Sequence, residues 1–237
     1  MNKPTVCVTG CDERQKYLAQ CLQEQGITVV RQAEFDPGQL AGIDYLIGPV
    51  TLYRGGAISP EIKEACDKAG VKAVNYMNCE DFLLLNADLT AEGLLAIIIQ
   101  NTDFSLINAH ILILGQGRCG TAIHKLLSHF SSQIDIYDTV PAFFSGTPYH
   151  IVINTIPAPV IRKEHLIQLG PDCIFFEIAS PPGGFDQTAI KELGLTLITC
   201  PGIPGRYCPR SAANAIAQAV LPELQALPPK TQDAAAK

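Results

Sequence analysis

One stretch of the chain decides the fold: residues 110–120, which read HILILGQGRCG. The apolar run at its start predicts a buried strand, and the apolar spacing that follows predicts a helix over Arg118–Phe130. A GxGxxG turn between a strand and a helix is typical of dinucleotide-binding domains, because the helix N-terminus attracts a negatively charged pyrophosphate. Gly115 permits the tight turn, Gly117 lets the backbone approach the pyrophosphate, and Gly120 lets helix and strand pack closely. The alternative interpretation is a glycine-rich turn without a ligand.

Two further features of this region concern the cofactor. Arg118 adds a cation beside the predicted phosphate site, and Cys119 lies within the same turn. The next predicted strand, Ile134–Tyr137, ends at Asp138, where an acid accepts hydrogen bonds from a ribose 2′-hydroxyl and repels a 2′-phosphate. Asp138 therefore favours NAD over NADP, unless it is a plain turn residue.

The connection after this strand is short. Only residues 138–149 (DTVPAFFSGTPY) separate it from the next predicted strand, His150–Asn154, and they include two prolines and a glycine. A crossover that contains a helix needs about 10–12 residues in all. We therefore expect no full helix and no third strand here, a thin wall for the adenine pocket and a modest affinity for the nucleotide.

The rest of the chain repeats the alternation of strand and helix. In the N-terminal half, the helix predicted over Arg14–Gln25 lies between two short strands, which indicates a small α/β unit with a parallel sheet. A long connecting helix is predicted over Ala91–Thr102, with Thr90 as its cap. The predicted fold class is α/β with two domains, a smaller N-terminal α/β domain and a doubly wound Rossmann-type nucleotide-binding domain with a shortened crossover. The predicted boundaries are 1–82 for an N-terminal domain that binds substrate or partner, 83–107 for a linking helix, 105–208 for the nucleotide-binding domain, 209–226 for a helix that returns to the first domain, and 227–237 for a frayed tail.

The composition argues against several classes of protein. Of 237 residues, 17 are basic and 23 acidic, and the resulting net charge of −6 argues against binding to a nucleic-acid backbone. The longest apolar run, Leu94–Ile99, has six residues, whereas a membrane span needs about 20. Nine cysteines occur without a CxxC pair, so we expect reduced thiols, a cytoplasmic protein and no bound metal.

Three consecutive strands of the predicted nucleotide-binding domain end in stiff loops on one face. The first loop is Asn154-Thr155-Ile156-Pro157, whose backbone we expect to line the cofactor near its ribose and nicotinamide end. The second begins at Ala179, a further predicted cofactor contact, and continues into two prolines and two glycines. The third is Pro201–Gly205. Because ligands bind at the carboxyl ends of parallel strands, these loops predict the floor of a site.

Several segments together resemble one known family. They are, in chain order, Gly10–Gln15 (GCDERQ), Asn86–Gly93 (NADLTAEG), Gln100–Asp103 (QNTD), Gly115–Gly120 (GQGRCG), Ile153–Ala158 (INTIPA), Ala179–Asp186 (ASPPGGFD), Pro201–Gly205 (PGIPG) and Cys208–Ala213 (CPRSAA). Their order and their residues are similar to those of dipicolinate synthase A subunits, proteins of spore formation in Gram-positive bacteria. The resemblance is good from Asn86 to the final helix and thin between Gln15 and Asn78.

The resemblance implies a fold, an activity and a partner. The family is similar in plan to 2-hydroxyacid dehydrogenases, with two α/β domains, a cofactor in the cleft and two linking helices. It implies the nicotinamide-dependent oxidation of dihydrodipicolinate to dipicolinate, together with a flavoprotein-like B subunit. A homo-oligomer is also expected. Typical members often carry a basic residue where this chain has Asp138, so the cofactor is NAD or NADP, with NAD favoured by the acid.

A substrate with two carboxylates is best bound by arginine, because the guanidinium binds a carboxylate through two hydrogen bonds. The candidate substrate-binding residues are Arg14, Arg54, Ser180, Arg206 and Arg210. Each arginine could equally be a solvated or helix-capping side chain.

No residue is evident as the group that transfers a proton. The five histidines occupy positions typical of structural residues, and by resemblance Asp12 and Glu92 are better placed. A 2-hydroxyacid dehydrogenase of other specificity would place a histidine paired with an acid near the end of the nucleotide-binding domain, and no histidine follows His165. A non-catalytic nucleotide-binding scaffold subunit is the third interpretation, favoured by the short crossover.

Overall fold

The structure is a computed structural model that describes residues 3–54, 57–131, 133–142, 144 and 148–226. The chain divides into two compact units. The first contains the residues up to Asn86 and those from Pro204 onward, and the second contains Ala87–Ile203. The tail predicted to be frayed, 227–237, lies outside the described residues. The boundaries expected for the functional domains stay a prediction.

The first unit is built on a four-stranded parallel sheet in the order β2-β1-β3-β6. Its strands are β1 (Thr5–Thr9), β2 (Thr28–Gln32), β3 (Tyr45–Ile47) and β6 (Lys72–Ala73), and a separate antiparallel ribbon joins β4 (Tyr53–Arg54) to β5 (Ala57–Ile58). Its helices are α1 (Glu13–Glu24), α2 (Pro60–Ala69) and α8 (Pro209–Ala226). A short helix, α7 (Ile203–Tyr207), begins at the unit boundary. The sequence did not predict the two-residue strands of the ribbon, because so short a segment carries no periodic pattern.

Local chemistry fixes the ends of these helices. The Asp12 side chain accepts a hydrogen bond from the Gln15 backbone N–H at 2.9 Å, which caps α1 one residue earlier than predicted. Helix α2 begins with Pro60 and ends at Gly70, whose φ of +67° is the left-handed conformation of a helix C-terminus. The core of this unit packs α1 and α8 against the sheet through buried side chains such as Leu18, Leu22, Ile216 and Val220.

The long connecting helix differs from its prediction. Helix α3 runs over Glu80–Asn101, so it begins well before Ala91, and Thr90 lies inside it rather than at its cap. The physical reason is that the residues before Thr90 are also good helix formers, such as leucine and alanine, and contain no breaker. By length and composition α3 could cross a membrane, but half of its most apolar window is buried inside the protein, as in many core helices.

The second unit contains a five-stranded sheet in the order β11-β10-β9-β7-β8, all parallel. The strands are β7 (Ile111–Leu114), β8 (Ile134–Tyr137), β9 (Ile151–Asn154), β10 (Ile174–Glu177) and β11 (Thr196–Thr199). The helices between them are α4 (Arg118–Leu127), α5 (Lys163–Leu169) and α6 (Gln187–Glu192). Strands β7 and β9 are buried along their whole length, as parallel strands covered on both faces are.

The sheet order confirms the shortened crossover. Strand β8 pairs with β7, and β9 pairs with the other side of β7, so no strand extends the sheet beyond β8 in the described part of the unit. Between Tyr137 and Ile151 the described residues form neither helix nor strand. The two parallel sheets together confirm the predicted α/β fold class.

Candidate functional site

The glycine turn after β7 has the close contacts that require glycine. Gly115 has a φ of +97°, and its N–H donates to the Tyr137 carbonyl at 2.7 Å. A Cβ atom at Gly115 would overlap Thr155 Oγ1, and one at Gly120 would overlap the Gly115 carbonyl oxygen. Both glycines are therefore needed for the turn and for the close approach of α4 to it.

Gly117 differs from its two neighbours in the turn. A Cβ atom there would meet no described heavy atom within 4 Å, and its φ of −73° is open to any residue. Gly117 is also the N-cap of α4, and among the described residues no side chain caps this helix end. An open space at an uncapped helix N-terminus is the arrangement that suits a phosphate group. Arg118, beside it, is exposed.

Cys119 is packed rather than reactive. Burial raises the pKa of the Cys119 thiol, and the neighbouring Arg118 opposes the shift only in part. The thiol is therefore protonated at neutral pH and adds no negative charge near the predicted phosphate site.

Asn154 and Thr155 support the turn from the adjacent strand. The Thr155 N–H and hydroxyl both donate to the Leu114 carbonyl, at 2.8 and 3.0 Å. Asn154 is fully buried, and its side chain accepts from the Ile156 N–H at 3.1 Å and donates to the Ile156 carbonyl at 3.0 Å. These bonds fix the backbone of the loop that continues to Pro157, which is exposed.

Glu177 holds two loops of the site together through hydrogen bonds, and the sequence did not predict this role. Its side chain is 4 % exposed, and its oxygens accept from Asn154 Nδ2 at 2.8 Å, the Ala179 N–H at 3.1 Å and the Gly184 N–H at 2.7 Å. One carboxylate thereby joins the loop after β9 to both ends of the loop after β10. The signal in the sequence is an acid at the end of an otherwise apolar strand, IFFE.

The hydrogen bonds of Glu177 predict that replacing this one residue by glutamine lowers the stability of the protein. Glu177→Gln replaces one acceptor oxygen by an NH₂ group, so at least one of the three buried donors then faces another donor. We expect a loss of about 1–3 kcal/mol in the free energy of unfolding, measured by thermal and urea denaturation. Glu192→Gln is the matched control, because Glu192 is exposed and its ion pair with Lys163 lies at the surface. Equal melting of Glu177→Gln and the parent protein would contradict the structural role.

The structure places the remaining cofactor candidates at the same edge of this sheet. Asp138 is exposed and follows β8 directly, and the register that pairs Leu114 with Tyr137 puts it beside Gly115. Ala179 and Ser180 follow β10, and Ser180 is exposed. The carboxyl ends of β7, β8, β9 and β10 thus carry all the predicted cofactor residues, at the place where ligands of open α/β sheets bind. Their roles in binding stay a prediction.

The arginine candidates of the first unit have different surroundings. Arg14 is buried, and its Nη2 lies 3.2 Å from Asp12 Oδ2. Arg210 is exposed, with its guanidinium 5.2 Å above the Tyr17 ring, and Arg206 lies 5.7 Å from the ring of the adjacent Tyr207. The side chain of Arg54 lies outside the described part of the structure.

The described surroundings of Asp12 and Glu92, the candidates for proton transfer, do not identify a catalytic role for either residue. Asp12 is half-buried and caps α1, and Glu92 is exposed on α3. Several histidines have structural contacts: His110 bonds Asp135 at 3.1 Å, and His165 Nδ1 accepts from the Arg162 N–H at 3.1 Å. Among the described residues, no cluster of three or more His, Cys, Asp or Glu side chains could hold a metal ion.

Comparison with known proteins gives one consistent picture. No model of a protein family matches the chain. The chain is 25 % identical over 192 residues to the A subunit of dipicolinate synthase from Bacillus subtilis strain 168. That match covers 72 % of this chain and 65 % of the relative, so it spans just under two thirds of the relative's length.

Solved structures show the same fold. The crystal structure of the A chain of dipicolinate synthase from Bacillus subtilis superposes on this chain with a TM-score of 0.76 at 20 % identity. The superposition covers 95 % of this chain and 98 % of that one. A D-isomer-specific 2-hydroxyacid dehydrogenase from Lactobacillus delbrueckii ssp. bulgaricus, solved with NAD, superposes with a TM-score of 0.55 at 11 % identity, covering 93 % of this chain and 96 % of that one. The chain is therefore similar in sequence and fold to the A subunit of dipicolinate synthase, and it shares its fold with a 2-hydroxyacid dehydrogenase that was solved with NAD.

Proposed function

We propose that this chain is the nicotinamide-binding subunit of a dipicolinate synthase, a cytoplasmic homo-oligomer that oxidises dihydrodipicolinate to dipicolinate together with a B-type flavoprotein subunit. The similarity to the A subunit of the Bacillus enzyme supports the reaction and the partner. The structure contains all nine cysteines as free residues, an arrangement compatible with the cytoplasm. The observation that carries the proposal is the open space at Gly117, between a fully buried strand and an uncapped helix.

The residues present fit a nicotinamide dinucleotide. Gly115 and Gly120 have no room for a side chain, whereas the position of a Cβ atom at Gly117 is empty of described atoms. This is the difference expected if a pyrophosphate occupies the space next to Gly117. A bound nicotinamide would accept a hydride from the substrate, which loses one hydride and one proton when it becomes aromatic.

The chain's own residues would bind and orient the two reactants. The backbone of Gly115–Gly120 and the guanidinium of Arg118 would hold the pyrophosphate, and Asp138 would accept hydrogen bonds from the adenosine ribose. The loop from Thr155 to Pro157 and the backbone at Ala179 would contact the nicotinamide end. Glu177 is a positioning residue, since it fixes both of these loops without facing the solvent. Substrate carboxylates would be bound by arginine, with Arg14, Arg206 and Arg210 as candidates and Ser180 as a further polar contact.

The choice between NAD and NADP gives a direct test. Because the carboxylate of Asp138 would repel a 2′-phosphate, we expect the parent protein to bind NAD about tenfold more tightly than NADP. Asp138→Ala should narrow this gap, chiefly by improving the affinity for NADP, as measured by isothermal titration calorimetry. Asp172→Ala, which removes an exposed acid from the turn before β10, is the matched control and should leave the ratio unchanged. Equal affinities for NAD and NADP in the parent protein would refute the role of Asp138.

A second function is favoured by one observation. Strand β8 ends the sheet in the described part of the unit, so the adenosine side of the site has less wall than in a six-stranded nucleotide fold. A scaffold subunit that no longer binds nucleotide would share this feature. The same titration separates the two functions, because a scaffold would bind neither NAD nor NADP.

A further inference from the structure

Buried polar atoms without hydrogen-bond partners are concentrated at one place in the first unit. The described residues contain five such side-chain atoms, and four of them belong to Thr9, Arg14 and Gln15. The four are Thr9 Oγ1, Arg14 Nε, Gln15 Nε2 and Gln15 Oε1. Unpaired buried polar groups are costly, so folded proteins seldom keep several together. At the end of β1 and in the first turn of α1, a polar ligand would give these atoms the partners that the described residues do not supply.

The three side chains are more than nine-tenths buried and lie on a turn with little room. Thr9 is 1 % exposed, Arg14 7 % and Gln15 0 %. The turn between strand and helix passes through Gly10, with a φ of +112°, and a Cβ atom there would come within 3.0 Å of Gln15 Cγ. The turn follows the carboxyl end of a parallel strand and begins a helix of 12 residues, both of which favour an anionic ligand.

The charge on Arg14 is only partly neutralised. In the described structure its one ion pair is a single contact of Nη2 with Asp12 Oδ2 at 3.2 Å, and the Asp12 side chain is 39 % exposed. Gly205 lies beside the guanidinium, since a Cβ atom there would be in ordinary contact with Arg14 Cζ, at 3.6 Å. Nearby, burial keeps the pKa of Tyr76 well above its ordinary value, and the neutral hydroxyl donates to the Gly48 carbonyl. Tyr76 therefore supplies no negative charge to Arg14.

We infer that Thr9, Arg14 and Gln15 form a binding site for a carboxylate of the substrate. The carboxylate would accept hydrogen bonds from Arg14 Nε and Gln15 Nε2 and would take the place of Asp12 beside the guanidinium. Because the Asp12 side chain is partly exposed, a small rotation of its carboxylate would release Oδ2 from Arg14 while Oδ1 keeps the cap on the Gln15 N–H. The Thr9 hydroxyl, which has no partner among the described residues, would donate a third hydrogen bond to the same carboxylate.

The inference rests on the proposed function for the identity of the substrate and adds the residues that recognise it. The sequence assigns no binding role to Thr9 or Gln15, because a threonine at a strand end and a glutamine in the first turn of a helix are ordinary surface residues. The carboxylate site also stands on its own geometry, since all three residues belong to the first unit. Its failure can therefore be distinguished from the failure of the nucleotide site in the second unit.

The test is a calorimetric titration of the full chain with pyridine-2,6-dicarboxylate and with the neutral pyridine-2,6-dicarboxamide. We expect the dicarboxylate to bind and the dicarboxamide to bind at least about tenfold more weakly, because it lacks the charge that Arg14 recognises. Arg14→Met should weaken binding of the dicarboxylate about ten- to hundredfold, and Gln15→Leu about tenfold. Asp12→Asn keeps the helix cap, removes the competing carboxylate and should tighten binding.

Two controls make the outcome decisive. Lys63→Met removes the same charge from the exposed face of α2 and should leave binding unchanged. If Arg14→Met lowers the melting temperature sharply, the binding measured with Gln15→Leu tests the site instead. Leucine has nearly the volume of glutamine, and the substitution removes two unpaired polar atoms, so we expect this variant to fold. Equal binding of the dicarboxylate by the parent protein, Arg14→Met and Gln15→Leu would overturn the inference, as would no binding by the parent.

A parallel titration with NAD and NADP separates this site from the proposed function. A protein that binds the dicarboxylate through Arg14 and Gln15 but binds no nucleotide would keep the carboxylate site and refute the proposed oxidoreductase. A protein that binds nucleotide but not the dicarboxylate would overturn the carboxylate site alone.

Discussion

Replacement of Gly117 by valine is expected to abolish the binding of NAD and NADP while leaving the protein folded. The backbone at Gly117 has a negative φ, and the space around a Cβ atom there is empty of described atoms, so valine causes no strain. The same side chain would fill the space proposed for the pyrophosphate and separate it from the N-terminus of α4. Because several charge-assisted hydrogen bonds would be lost together, we expect affinity to fall by more than about a hundredfold in a calorimetric titration.

Two companion variants give this prediction its controls. Gly120→Val should lower the melting temperature, because its side chain would overlap the Gly115 carbonyl. Lys125→Val adds the same side chain to an exposed position of α4 and should change neither folding nor binding. Unchanged nucleotide affinity in Gly117→Val would show that the glycine turn has no ligand.

The second large effect concerns the partner subunit. The described residues include no acid or histidine whose surroundings identify it as a catalytic base, and general acid–base groups typically contribute about 10²–10⁴-fold to a rate. We therefore expect negligible formation of dipicolinate by this chain alone and substantial formation, at least about a hundredfold faster, once a B-type subunit is present. The reaction is followed by the absorbance of the aromatic product. Full turnover by the isolated chain would refute the requirement for a partner and would direct attention to Asp12 and Glu92.

The fold and the conformation of the glycine turn after β7 could be predicted because they depend on strict local sterics. The pattern of a strand, three spaced glycines and a helix has few solutions, and the structure shows overlap for a side chain at Gly115 and Gly120 but not at Gly117. The absence of a third strand from the described residues was predictable from the short connection 138–149, because its two prolines and its glycine disfavour a full helix. Asp138 lies beside Gly115 as expected, because the register of β7 and β8 places the ends of the two strands together.

Other features depend on contacts between residues distant in sequence. Helix α3 begins earlier than predicted, because no breaker residue marks its start in the run before Thr90. The role of Glu177 in holding two loops together follows from its hydrogen bonds with Asn154 and Gly184, which are not its neighbours in the sequence. Likewise, the burial of Gln15 follows from the Gly10 turn, whereas helical periodicity alone gives a glutamine no reason to be buried.

We propose above that this chain binds the nicotinamide cofactor that oxidises dihydrodipicolinate. The most direct measurement records two absorbances in one reaction that contains the chain, a B-type subunit, dihydrodipicolinate and NAD or NADP: that of dipicolinate and that of the reduced nicotinamide. Loss of one hydride and one proton from the substrate predicts one reduced nicotinamide for each dipicolinate formed, with both signals lost in Gly117→Val. Formation of dipicolinate at the same rate without nicotinamide, or without reduction of the nicotinamide, would refute the proposed role of the cofactor.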